Sequence, residues 1–332
     1  DIYDQDRMYN AKNFVIDKKL YGLFTTCMHG IVSPLSSIAM RSDLYAIANR
    51  FVSKLLQPNE NEKLDAERIA LAKDILFEMK MSSEKLVEVI ASDAIAGEGP
   101  HRLTGLLLLD SLVQLAAFGK VNFVINILSR TNMLLLIIRS LKVIDDIVFS
   151  QTEANTFDSI YYELTVFKTT MNFLTHIAES KVGAHELIQN ELLKILSNSN
   201  FAKLDSNLGV ELLLSQQFDD NGATYVELKV KLDDSSSHYS DMNTISLFEL
   251  VVPIFQLVSA ILLSVGTENR MVVKNVKVLL ARFEKFIQGI LRKDALVEAG
   301  DYQVTVENAQ NLKELVKLII ILCTLTGYEG IV

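Results

Sequence analysis

Apolar residues recur at three- and four-residue spacings along almost the whole 332-residue chain. That period matches one face of a helix, whereas a strand buries alternate residues. Only 4 prolines and 14 glycines interrupt it, fewer turn residues than an all-β chain of this length needs. The periodic stretches are 6–29, 65–80, 83–96, 102–118, 121–129, 132–149, 157–180, 182–197, 207–214, 245–265, 268–293 and 305–326. One more helix is expected to start at Ser33 as N-cap, with Pro34 in its first position, and to end before Pro58. The links are mostly short, which makes successive helices antiparallel neighbours. A dozen such helices do not share one bundle core and stack in pairs instead. The expected fold is therefore all-α, an α-helical solenoid with degenerate repeats, continuous over 1–332.

One segment departs from this period. Between Ser215 and Asn243, Val226, Leu228, Val230 and Leu232 alternate with Glu227, Lys229 and Lys231, flanked by Asp219-Asp220-Asn221-Gly222 and Asp233-Asp234. Period two is strand-like. The segment reads as a mobile inserted loop with one short extended stretch.

Charge and cysteine content narrow the function. A formal net charge of −9 disfavours a phosphate-binding surface, so no direct nucleic-acid contact is expected. The 2 cysteines, Cys27 and Cys323, stand at opposite ends, which gives neither a disulfide framework nor zinc spacing and points to a reducing compartment. The chain opens DIYDQDRMYN and reads as a fragment of a longer or processed protein. Leu247 to Val265 is the strongest membrane-span candidate, but its uncharged run is about sixteen residues where a span needs about twenty. It is expected to be a core helix.

No chemical constellation emerges. Gly97-Glu-Gly-Pro-His-Arg102 lacks the third glycine and the preceding strand of a dinucleotide loop and reads as a turn between helices. His176 with Glu179, and His185 with Glu186, lack a zinc motif. The pairs Asp145-Asp146, Asp219-Asp220 and Asp233-Asp234 lack the ligand spacing of a calcium loop. Cys27 beside His29 reads as a buried thiol. The expectation is no enzyme, no cofactor, no metal and no small-molecule substrate.

Two helices stand out. Stretch 268–293 places Val272, Val276, Leu279, Phe283, Phe286 and Ile290 on one face. A basic stripe of Lys274, Lys277, Arg282 and Lys285 lies opposite, either an ordinary solvated face or a dock for an acidic partner. In the last helix, counting 100° per residue from Leu312, Lys313, Glu314, Lys317 and Thr324 fall between about 100° and 200°. Apolar residues fill the remaining arc of about 220°, twice what a surface helix needs. Leu312, Val316, Ile319 and Cys323 are expected to pack on the preceding helix, leaving Leu315, Leu318, Leu322 and Leu325 facing elsewhere and Ile321 in the polar sector. Either the chain folds back over this surface or a partner helix docks there. The candidate partner contacts are Phe283, Phe286, Leu315, Leu318, Ile321, Leu322 and Leu325, within a docking end at 245–332.

Three stretches carry a resemblance: Phe173 to Ser197 (FLTHIAESKVGAHELIQNELLKILS), Ser246 to Leu280 (SLFELVVPIFQLVSAILLSVGTENRMVVKNVKVLL) and Asn311 to Gly327 (NLKELVKLIIILCTLTG). They resemble the C-terminal tail of the largest inner-ring scaffold nucleoporins of fungi, the yeast type in particular. The likeness is clearest after Tyr161 and weakest over 215–243. It implies a question-mark-shaped solenoid with HEAT- and armadillo-like repeats, resident in the nuclear pore complex at the nuclear envelope and without enzyme activity. It also implies a tail that captures a helical segment from the N-terminal region of a linker nucleoporin, in support of protein and mRNA transport. The competing reading is a karyopherin-like transport receptor binding cargo or phenylalanine-glycine repeats, which shares the architecture. The single Phe118-Gly119 pair reads as a helix C-cap, not a repeat.

Overall fold

The computed structural model describes residues 19, 21–57, 62–233 and 243–331. The start of the expected helix 6–29 and the end of the insert lie outside the described residues. The chain divides into two compact units, Asp1–Leu134 and Leu135–Val332.

The first unit is helical: α1 (21–32), α2 (Ile38–Leu56), α3 (Glu62–Ala96), α4 (Pro100–Phe118) and α5 (Phe123–Arg130). Helices α2 and α3 both pack on α4, and α3 also meets α5. Ser37, not Ser33, caps α2: its Oγ accepts from the Met40 amide at 3.2 Å. Ser33 and Pro34 instead open a turn in which the Ser36 amide donates to the Ser33 carbonyl and Ser36 Oγ to the Gly30 carbonyl, delaying the helix by one turn. The two helices expected at 65–80 and 83–96 are one 35-residue helix, α3. Ser82-Ser83 resembles a cap, yet Ser83 Oγ donates to the Lys80 carbonyl and lets the helix run on. A buried polar cluster joins α2 to α3. Arg41 Nε and Nη2 donate to Asp93 at 2.7 and 3.0 Å, and Tyr45 Oη donates to the same carboxylate at 2.6 Å. Burial and the adjacent carboxylate push the Tyr45 hydroxyl far above its ordinary pKa. Between Ala96 and Pro100 the chain turns at Gly99, whose φ is +56°, as expected for a helix-to-helix link.

The second unit contains α6 (Met133–Val148, whose first two residues lie before the unit boundary), α7 (Phe157–Ala178), α8 (Lys181–Gln189), α9 (Leu192–Ser197), a 3₁₀ turn (Asn200–Lys203), α10 (Leu247–Val265), α11 (Arg270–Arg282), α12 (Glu284–Ala299) and α13 (Val306–Thr326). A capping box of Thr156 and Ser159 starts α7. The expected helix 182–197 breaks at Asn190-Glu191, where the Asn190 amide donates back to the Glu186 carbonyl and Glu191 turns left-handed. Between α9 and α10 lie β1 (Glu211–Phe218), β2 (Thr224–Val230) and β3 (Thr244–Ser246), in the antiparallel order β2-β1-β3. Leu212 faces Val230 and Leu214 faces Leu228 across the β1–β2 pair.

The sheet corrects two expectations. Residues 211–214 are strand, not the end of a helix, and 215–230 form a hairpin, not a loop. Leu212, Leu213 and Leu214 are all buried, so β1 shows an unbroken apolar run that period alone does not distinguish from a buried helix. Asp219 closes the hairpin, its Oδ1 accepting from the Asn221 and Ala223 amides while Gly222 takes φ +82°. The strands are anchored at their base. Ser206 Oγ donates to the Phe286 carbonyl, and Gly289 allows this approach because a Cβ there would collide with Ser206 Oγ and the Asn207 amide.

Candidate partner-docking surface

Helix α10 forms the centre of the second unit. Twelve of its residues are buried, and it packs on α7, α8 and α13. It is the single unbroken helix among the described residues that is long and apolar enough to cross a bilayer, and neighbouring helices occupy most of its apolar surface. Its side-chain hydrogen bonds to α13 set a parallel alignment. Ser246 Oγ donates to Asn308 Oδ1 at 2.9 Å, and ten residues on, Gln256 Nε2 donates to Glu314 Oε1 at 2.7 Å.

This packing sorts the sequence candidates. Phe283, Phe286, Leu315 and Leu322 are fully buried. The Phe283 ring stands edge-on to Phe255 at 5.4 Å and to Phe286 at 6.1 Å. These four are core residues and meet no partner while the fold is intact, which corrects their reading as contacts. Leu315 and Leu322 are internal because α13 is covered along two sides, by α10 and by α11 with α12, while Phe283 and Phe286 pack inward with Phe255 of α10. Leu312 and Ile319 are buried as expected, while Val316 and Cys323 are only partly so. The surface keeps Leu318 half-buried, and Ile321 and Leu325 exposed. These three lie at about 240°, 180° and 220° on the helix, one stripe along its flank.

Sequence reasoning missed a fourth residue. Leu263 follows Gln256 by seven residues, two turns along the same side of α10. Gln256 reaches Glu314 of α13, so Leu263, 67 % exposed, stands on the side of α10 that borders α13.

The model of the nuclear pore complex scaffold family, nucleoporins 186/192/205, matches residues 1–326. The chain belongs to this family. A comparison with curated proteins finds no match.

This scaffold nucleoporin is therefore a structural component of the nuclear pore complex at the nuclear envelope, and other nucleoporins are its partners. Its helical content fits that role, with the small sheet as an addition to the all-α expectation. The expected basic stripe is not one surface. A one-residue break at Phe283 separates Lys274, Lys277 and Arg282 on α11 from Lys285 on α12. Lys285 pairs with Asp205 at 2.8 Å and holds that carboxyl below its usual pKa. Arg292 donates to Asn207, and Lys293 is buried against Asp233 and stacked 4.1 Å over the Tyr302 ring. The cations of α12 thus bind the base of the sheet, while among the described residues Lys274, Lys277 and Arg282 form no ion pair. The sites weighed for chemistry have structural roles or stand apart. Asp145 accepts from the backbone and side-chain amides of Asn200, and burial raises its carboxyl. Cys27 is buried, which raises its thiol. Among the described residues no three His, Cys, Asp or Glu side chains gather into a cation site.

Proposed function

We propose that this nucleoporin serves in the inner ring of the pore, where its terminal helices capture a helical segment from the N-terminal region of a linker nucleoporin and so support nucleocytoplasmic transport. One observation supports this reading: Leu318, Ile321 and Leu325 on α13, with Leu263 on α10, leave apolar surface open along the α10–α13 flank. A helix presenting apolar residues three, four and seven apart fits such a surface.

Titration calorimetry of the chain with peptides from linker nucleoporin N-terminal regions tests it. Stoichiometric, salt-tolerant binding of one peptide is expected. Leu318→Glu and Leu325→Glu should each weaken it at least tenfold, about 1.4 kcal/mol, with helicity unchanged. Normal binding by both variants overturns the location. Weak multivalent binding to phenylalanine-glycine repeats, with no stable partner, overturns the scaffold-capture reading in favour of a receptor-like one.

A further inference from the structure

A second groove lies on the same unit between α8–α9 and α11. It has a volume of about 540 Å³ and is lined by Ile188, Leu193, Met271 and Val278, together with Lys194 and Arg282. Met271, Asn275, Val278 and Arg282 recur at spacings of four, three and four. On a helix these positions fall within about 40° to 60° of one another and form a single straight line about 16 Å long. The residues that hold α11 in the core, Val272, Val276, Leu279 and Leu280, occupy a different side. Met271 is 60 % and Val278 46 % exposed, so two large apolar side chains stand open in one row.

The charge in this lining is net positive, Lys194 and Arg282 against Glu191. Lys194 has an exposed contact with Glu191 at 3.6 Å, the one acidic residue in the lining. Arg282 lines the groove and Lys274 flanks it on the solvent side, and neither is paired among the described residues. A local cationic rim on a chain of net charge −9 selects by charge complementarity, because rim charges set encounter rate and partner choice.

We infer that this groove receives an acidic amphipathic helix of another protein, about three turns long, with an apolar stripe against Met271 and Val278 and carboxylates towards Lys274 and Arg282. It is separate from the α10–α13 rim and does not depend on it. The two together make the unit a bivalent scaffold end.

The test uses the 332-residue chain and two labelled synthetic helices of about fourteen residues. Both carry leucines at i, i+4, i+7 and i+11, one with flanking glutamates and the other with flanking lysines. Fluorescence anisotropy should show the glutamate helix binding about tenfold tighter at low salt, the margin narrowing as salt rises. Val278→Glu should abolish this binding and Leu318→Glu leave it intact. Arg282→Glu should move the preference towards the lysine helix, and because Arg282 is exposed this variant carries the test even where Val278→Glu disturbs folding. Equal binding of both helices, or loss through Leu318→Glu alone, overturns the inference. So does self-association of the chain that Val278→Glu abolishes, which would assign the groove to a second copy.

Discussion

The α2–α4 region and the α10–α13 region bury their helices by different means. In the first, a guanidinium, a phenol and a carboxylate meet inside the interface between α2 and α3, and Ser111 Oγ donates to Asn49 Oδ1 between α4 and α2. A slide of one helix turn would strand a charge away from water, which costs several kcal/mol. In the second, α10 is enclosed by aliphatic and aromatic side chains, and its hydrogen bonds to α13 lie at the rim. Polar interiors define register, whereas apolar interiors are sensitive to volume and leave surplus apolar residues at the edge. The surplus is where we place a partner.

Substitutions sharpen this contrast. The largest effect is expected in the apolar region. Phe283→Ala should cost about 4 kcal/mol, read from denaturant midpoints at unchanged slope, because the ring touches both Phe255 and Phe286. Asp93→Ala should cost about 3 kcal/mol by leaving Arg41 and Tyr45 without their acceptor. The joint replacement Arg41→Met, Tyr45→Phe, Asp93→Leu should return to within about 1 kcal/mol of the wild type, because a buried ion cluster contributes little net stability over apolar residues of similar size. If the triple variant is as unstable as the single one, the cluster stabilises α2–α3 and does not merely select their register. Thr156→Ala, which removes the capping box of α7, should cost about 1 kcal/mol.

The smallest effect is a pH dependence. Lys285 lowers the pKa of Asp205, so this pair adds stability above the unfolded value of about 3.9 and loses it as pH falls through the lower folded value. Melting curves of wild type and Asp205→Asn should therefore differ at pH 6 and converge in stronger acid. A gap that stays constant with pH would refute the assignment.

Helix identity was legible wherever the three- and four-residue period runs on between clear end signals. Residues 305–326 read almost as they stand, with Thr305 as N-cap and Gly327 at the C-terminus. Residues 211–214 misled because both faces of β1 are covered there, and burial erases alternation. Stretch 268–293 misled in a subtler way. Hydrogen bonds run into and out of Phe283, so the period survives a break that separates the basic residues onto two helices. The candidate site was half legible. A helical wheel reports how much apolar surface a helix has but not how many neighbours share it, so Leu315 and Leu322 were assigned outwards while Leu263 went unnoticed. The family likeness in the three quoted stretches was readable because extended similarity does not depend on knowing which residues are buried.

Gly289 has a consequence for relatives of this chain. Only a residue without a side chain lets Ser206 sit against the backbone of α12, so position 289 reports whether the strand hairpin is seated on that helix. Family members that keep glycine there should also keep the serine and a cation at 293. Those that carry a side chain at 289 should have lost the hairpin or its attachment, so one aligned column would record where in the family's history this appendage joined the helical body.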